Sequence, residues 1–342
     1  MTHQRTPSPT NGRPTMRDVA LRAGVGLSTV SRVVSGDVQV SPERTAAVHK
    51  AILELGFRRN DSARQLRKGA AASIGLLIES VSDPFFSLLS QAVEEVALGR
   101  DSLLMSASSN RDAGRARKMI LAFCARRVDG LIITPSEFQE IDYLQEEILA
   151  GVRMVFVDRP VPGLEADTVL SDNVGGARTG VEHLIAHGHR RIACFTDRHD
   201  LFTSINRVLG YRQALESAGL PVDPSLIHAA TNGEYRFSEP LAAMLGGPNP
   251  PTAIFTGNNR ATSTILRELA GRRETLALVG FDDFELADVL QPGVTVIAQD
   301  PLTMGRIAAK LLFSRLDGDT GPAQTITLRT SLIARGSGEL LP

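Results

Sequence analysis

Between Thr15 and Gly56 apolar residues recur at helical spacing in three short runs, each bounded by residues that start or stop a helix. In the first, Thr15 is suited to cap, Val19, Ala20 and Ala23 share a face, and Gly24 ends the run. A second helix begins at Gly26 or Ser28 after Val25 fills the turn, and it sets Val30, Val33 and Val34 opposite Ser28, Thr29 and Arg32. Two short helices joined by a glycine-containing turn predict a helix-turn-helix. The third starts at Ser41-Pro42-Glu43, where serine caps, proline suits the first turn and glutamate favours the helix dipole. It runs through Val48, Ile52 and Leu55 to Gly56, and three such helices close one small core.

From Ser73 the pattern changes. Short apolar runs at Ile74 to Ile78, Gly130 to Thr134, Met154 to Val157, Arg191 to Phe195, Ala253 to Thr256 and Leu276 to Gly280 alternate with helical stretches. That alternation predicts an α/β fold of parallel sheets. Ahead of the first helix, residues 1 to 14 are rich in Pro, Ser and Thr, and with almost nothing to bury they read as a disordered arm.

Length adds domain count. The 342 residues exceed the roughly 100–200 of one domain, so two or three core-forming units are expected. No apolar stretch approaches the ~20 residues of a membrane helix, and no signal-peptide pattern follows the N-terminus, so the cytoplasm is the expected compartment and no membrane partner is foreseen. Cys124 and Cys194, the two cysteines, each sit in an apolar run and read as buried packing. The net charge of −1 hides an asymmetry: residues 1 to 68 carry twelve Lys or Arg against five Asp or Glu, a net +7, leaving −8 for the rest. The basic end is the expected nucleic-acid contact.

Enzyme chemistry finds no footing. G-x-S-x-G, H-E-x-x-H and the phosphate-binding G-x-x-x-x-G-K-[ST] are all absent, and GVGLST and GLLIES fail the dinucleotide fingerprint. His183 and His187 lie four apart with His189 just beyond, but no matching carboxylate or cysteine accompanies them, so they read as surface or capping histidines. No catalytic residue, metal or cofactor is expected.

The segments RDVALRAGVGLSTVSRVVSG and GFRRNDSARQLRKG, followed in order by IGLLIESVSDPFF, RRVDGLIITP, VFVDRP, GVEHLIAHGHRRIA, RVLGYRQAL, PTAIFTGNN and LVGFDDFELADVL, resemble the lactose/galactose repressor (LacI/GalR) family of bacterial regulators. The resemblance spans nearly the whole chain. It implies a three-helix DNA-binding domain at 15–59, a hinge helix and linker at 60–72, and a periplasmic-binding-protein-like core at 73–342. Within the core it implies subdomain one at about 73–171 plus 299–322, and subdomain two at about 172–298 plus 323–342. A sugar-transport receptor would share the core fold but would have no use for residues 15 to 69.

By that resemblance the chain is a repressor that binds a palindromic operator in double-stranded DNA as a homodimer under allosteric control by a small molecule. The second helix enters the major groove, placing Leu27, Ser28, Thr29 and Arg32 at base-reading or phosphate-facing positions. A guanidinium fork can bond guanine O6 and N7 together, whereas Leu27 offers apolar surface to a thymine methyl or packs within its own domain. Arg17, Ser31, Arg58 and Arg59 look like phosphate contacts. The hinge from Asn60 to Lys68 is too short to be a stable isolated helix. Its Leu66 matches the wedge that opens a base step in the minor groove, Ala63 allows close helix approach, and Arg64 and Lys68 face phosphate; a flexible charged linker is the alternative.

The resemblance also implies an effector cleft lined by Ser82, Asp83, Phe85, Asp158, Arg207, Tyr235, Asn259 and Asp282. Polar groups with an aromatic face suit a sugar, and also permit a nucleobase or polyol. Asp158 and Asp282 follow strands, so capping is an alternative role for them. Two departures stand out: most members carry Asn-Pro-Phe where this chain has Asp83-Pro84-Phe85, and Asn-Asp where it has Asn258-Asn259. Nothing after Ala334 resembles the heptad helix that makes some members tetramers, so dimers are expected.

Overall fold

The computed structural model describes residues 14–35, 39–57, 72–136, 141–231, 233–270 and 276–342. The chain forms two compact units, residues 1–70 and 71–342. In the first, α1 (Met16–Ala23), α2 (Leu27–Val34) and α3 (Pro42–Leu55) bury Val19, Val30, Val33, Val48 and Ala51 together. Thr15 caps α1 through a reciprocal pair: its hydroxyl accepts from the Asp18 amide while the Asp18 carboxylate accepts from the Thr15 amide at 2.7 Å. Gly24 and Gly56 end α1 and α3 in the left-handed conformation that glycine tolerates. Ser41 stands at the start of α3 as expected but makes no capping bond, so Pro42 supplies the start signal. Gly26, not Ser28, precedes α2. Thr15→Ala should cost about 1 kcal/mol, seen as roughly fivefold faster hydrogen exchange at the Val19 and Ala20 amides.

The second unit holds, in chain order, β1 (Ser73–Ile78), α4 (Pro84–Leu98), β2 (Leu103–Ser108), α5 (Ala113–Ala125), β3 (Gly130–Ile133), α6 (Asp142–Leu149), β4 (Arg153–Val157) and β5 (Asp167–Ser171). There follow α7 (Asn173–Ala186), β6 (Ile192–Thr196), α8 (Phe202–Ser217), β7 (Ile227–Ala229), α9 (Ser238–Leu245), β8 (Ala253–Thr256), α10 (Asn259–Glu268) and β9 (Ala277–Phe281). The chain closes with β10 (Thr295–Ala298), α11 (Pro301–Leu316), β11 (Thr325–Leu328) and β12 (Ser331–Ile333).

Two six-stranded sheets result. The first runs β11-β5-β4-β3-β1-β2, all parallel, and the second β12-β10-β9-β8-β6-β7, with only β12 antiparallel. Helices cover both faces, which explains the continuous apolar runs in the strands. In sheet one Leu76, Ile132 and Val155 face α4 and α11, while their neighbours Leu77, Leu131 and Phe156 face a separate core. Helices approach closely where glycine permits: a Cβ on Gly210 of α8 would fall 2.2 Å from the Val174 carbonyl, and one on Gly305 of α11 2.5 Å from that of Leu89.

The chain crosses between sheets after β5, after β10 and after β11. The last crossing departs from the boundary expected near 322: β11 pairs with β5, Thr325 opposite Thr168, so residues 325–328 belong to sheet one. A four-residue edge strand has no pattern that names its sheet. Arg315 helps decide it, bonding both Asp167 carboxylate oxygens and the Pro322 carbonyl. Cys194 is buried as expected, but Cys124 is only partly so.

Candidate functional site

On the first unit Arg17, Leu27, Ser28 and Arg32 are exposed, and Thr29 and Ser31 are partly so. Leu27 is 46% exposed, which separates it from the apolar core formed by Val30 and Val33. Helical periodicity therefore turns the Leu27, Ser28 and Arg32 side of α2 outward while the valines hold the helix in place. Arg58, Arg59, Asn60, Ala63, Arg64, Leu66 and Lys68 lie outside the described residues.

In the second unit the carboxyl ends of the strands of both sheets converge, where open α/β sheets bind ligands. Asp158 after β4 and Asp282 after β9 occupy equivalent places. Each has a left-handed backbone with φ 71°, and each donates its amide to the partner strand, Asp158 to Val169 and Asp282 to Ile297. Neither caps a helix. Asp158 pairs with Arg159 at 3.0 Å, and Asp282 accepts from Gln299 at 2.6 Å. Burial pushes the Asp158 carboxyl above the ordinary carboxylate range, against the opposing pull of Arg159 and Arg207.

Arg207, on α8, is 4% exposed and lies 3.8 Å above the Phe281 ring. Its Nε donates to Asn173 at 2.8 Å, and its Nη1 donates to the Gly257 carbonyl at 2.6 Å and approaches Asp282 at 3.5 Å. Most of its donor capacity is thus spent inside the protein, although the resemblance implies that Arg207 lines the effector cleft.

Ser82, Asp83, Tyr235 and Asn259 line a cavity of about 690 Å³ together with Arg260 and Phe284. Its size falls within the ~300–1,000 Å³ of small-molecule sites. Asp158, Arg207 and Asp282 are buried and do not line it, and Phe85 packs against the first core and edge-on to Phe86. Asp83 caps α4, accepting from the Phe85 amide, and the same oxygen accepts from Asn259 Nδ2 at 3.1 Å. The two departures from the family pattern are therefore each other's partners across the cleft. Burial and the charge of Asp282 raise the Asp83 carboxyl.

Five residues that the sequence did not single out for the site complete it: Glu79, Arg111, Arg159, Asp197 and Asn258. Arg111 donates to Glu79 at 2.5 Å and to both Asp197 oxygens at 3.0 and 2.9 Å, and Arg159 donates to Glu79 at 2.5 Å. The Tyr235 hydroxyl and Asn258 Nδ2 donate to Asp197. Burial works to raise Glu79, but Arg159 and Arg111 hold it below the ordinary range. Arg159 was legible as the neighbour of Asp158; Arg111 lies in a turn with no periodic signal.

Of His183, His187 and His189, His187 caps a helix end as expected, and the other two differ from expectation. His183 pairs with Glu339, a carboxylate far along the chain. His189 is fully buried between Thr252 and the Leu340 carbonyl, and burial lowers its pKa. His187 bonds the His183 carbonyl at the end of α7. Among the described residues no group of three or more metal-type side chains is placed to hold an ion, and no helix is long and apolar enough to cross a membrane.

Residues 15–60 match the lacI family of bacterial regulatory proteins, and residues 181–338 match the periplasmic binding protein-like domain. The HTH-type transcriptional regulator CelR of Thermobifida fusca is 33% identical over 341 residues, covering 95% of this chain and 98% of that protein. The chain belongs to the LacI family. The ribose operon repressor of Escherichia coli K12 is 32% identical over 331 residues, covering 94% and 99% of the two chains. Among solved structures, the complex of the transcriptional regulator CelR with cellobiose is 32% identical with a TM-score of 0.69, covering 95% of this chain and 100% of that one. The lac repressor dimer bound to operator and the anti-inducer ONPF has a TM-score of 0.81 at 24% identity, covering 96% and 99%, a likeness of fold. As a LacI-family protein the chain is a DNA-binding transcriptional regulator and not an enzyme.

Proposed function

We propose that this LacI-family regulator is a repressor that binds a palindromic operator as a homodimer in the bacterial cytoplasm, and that a sugar in the core cleft sets its operator affinity. The observation that carries the effector reading is the 690 Å³ cavity at the strand ends, whose lining sets hydroxyls, carboxylate and amide beside the Tyr235 ring. Such a lining offers hydrogen bonds and one flat apolar face, which sugars combine. Relatives named for ribose and crystallised with cellobiose are consistent with a sugar effector.

In this reading Ser82, Asp83, Tyr235 and Asn259 touch the effector, while Asp158, Arg207 and Asp282 form the charged floor beneath it. Arg32 reads a base, with Leu27, Ser28 and Thr29 beside it, and Arg17 and Ser31 meet phosphate. Arg58, Arg59, Arg64 and Lys68 add phosphate contacts, and Leu66 wedges the minor groove. A thermal-shift and anisotropy panel including D-ribose, cellobiose, nucleosides and polyols tests the effector reading. One sugar should raise the melting temperature and shift operator affinity about tenfold, a coupling of ~1.4 kcal/mol. A response confined to nucleosides or polyols, or none across the panel, overturns the sugar assignment. Sedimentation should give dimers at micromolar concentration.

A further inference from the structure

Arg111 stands apart from the residues expected to meet effector. It follows β2 in sheet one, yet both Asp197 oxygens that it grips follow β6 in sheet two. The same guanidinium donates through Nε to Glu79, after β1, and through Nη2 to the Tyr235 hydroxyl at 3.4 Å. Asn258, at the start of α10, donates to Asp197 and to the Tyr235 hydroxyl, joining a third segment of sheet two to the cluster. Bidentate guanidinium–carboxylate pairs are among the strongest and most geometrically demanding contacts in proteins. The cluster is also sheltered: the Glu79 and Asp197 side chains are 6% and 8% exposed.

The backbone supports this placement at a cost. Asn110 and Arg111 both adopt left-handed conformations, φ 52° and 64°, which side-chain-bearing residues seldom take. Two in succession persist only where the surroundings over-determine them, as at clamps and switches. Around the guanidinium, the space bounded by Glu79, Ser109, Pro135, Ser136 and Arg159 amounts to about 10 Å³, barely room for one water. Protein groups fill this part of the cleft.

We propose that Arg111 is a built-in ligand: its guanidinium takes the inner part of the cleft, bonds both subdomains as an effector would, and confines any effector to the outer 690 Å³ compartment. Closure of the core then rests on this clasp, independently of which small molecule the protein answers to.

Hydrogen exchange on the full-length protein, with no sugar added, tests it. Arg111→Met keeps the aliphatic stem and removes the guanidinium, and Asp197→Asn removes the opposing charge at nearly constant shape. The reporting amides are Asn110, bonded to the Glu79 carbonyl in sheet one, and Ala230, bonded to the Thr196 carbonyl in sheet two. Both should exchange about tenfold faster in Arg111→Met and move the same way in Asp197→Asn, while the central-strand amides of Ile132 and Ile254 stay protected. If Arg111→Met fails to fold, Asp197→Asn alone decides by the same two amides. Acceleration confined to the 109–112 turn, or no change at Ala230 in the folded variants, overturns the proposal.

Discussion

Arg207→Ala should destabilise the core by about 3–5 kcal/mol, the cost of breaking a buried ion cluster by removing one partner. The guanidinium is almost wholly buried, and its loss strips Asn173 and the Gly257 carbonyl of a donor and Asp282 of its nearest positive charge. It also uncovers the face of Phe281, over which the guanidinium lies. Arg159 does not replace it, since that guanidinium is already committed to Asp158 and Glu79. Denaturant unfolding of the full-length protein followed by circular dichroism reads the loss directly. A drop below about 1 kcal/mol would place Arg207 with replaceable surface arginines. Effector response should vanish as well, but because the charged floor collapses.

Arg32→Ala should act on the other unit. It should lower the preference for operator over random DNA about ten- to hundredfold, matching the ~1–3 kcal/mol of discrimination that a bidentate arginine–guanine contact supplies. Background affinity and its salt dependence should persist, because in the proposed reading Arg17, Ser31 and the basic residues of the hinge segment supply the phosphate contacts. Anisotropy titrations on operator and scrambled duplexes at several salt concentrations separate the two effects. Equal loss on both duplexes would make Arg32 a phosphate contact. Since Arg32 is exposed and Val30 and Val33 carry the packing of α2, the variant should keep its fold.

Most of the architecture was legible from pattern because local rules and global fold agree. Helices α1 to α3 begin and end within a residue or two of their expected caps, and each apolar run named as a strand coincides with one, since strands covered on both faces must be apolar throughout. The cleft was legible less evenly. Ser82, Asp83, Tyr235 and Asn259 converge on one cavity, whereas Phe85 packs against the core and Asp158, Arg207 and Asp282 are buried and do not line it. A residue's place in a motif says which strand end it occupies, but not whether its polar atoms are spent on the protein.

Periodicity, caps and the charge imbalance are properties of neighbouring residues, so they determined a helix-turn-helix head at a basic end and an α/β core of parallel sheets, and the order of family-like segments added a regulator's organisation. Contacts between residues far apart in the chain were decided only by tertiary structure. The chain order could not say that β11 joins sheet one, that His183 meets Glu339, or that the two family departures at Asp83 and Asn259 are one hydrogen bond spanning 176 positions. Nor could it say that Arg111 would bridge Glu79 and Asp197. Spacing along the chain carries no information about such pairs, because folding sets the distance between strand ends through sheet order and helix packing.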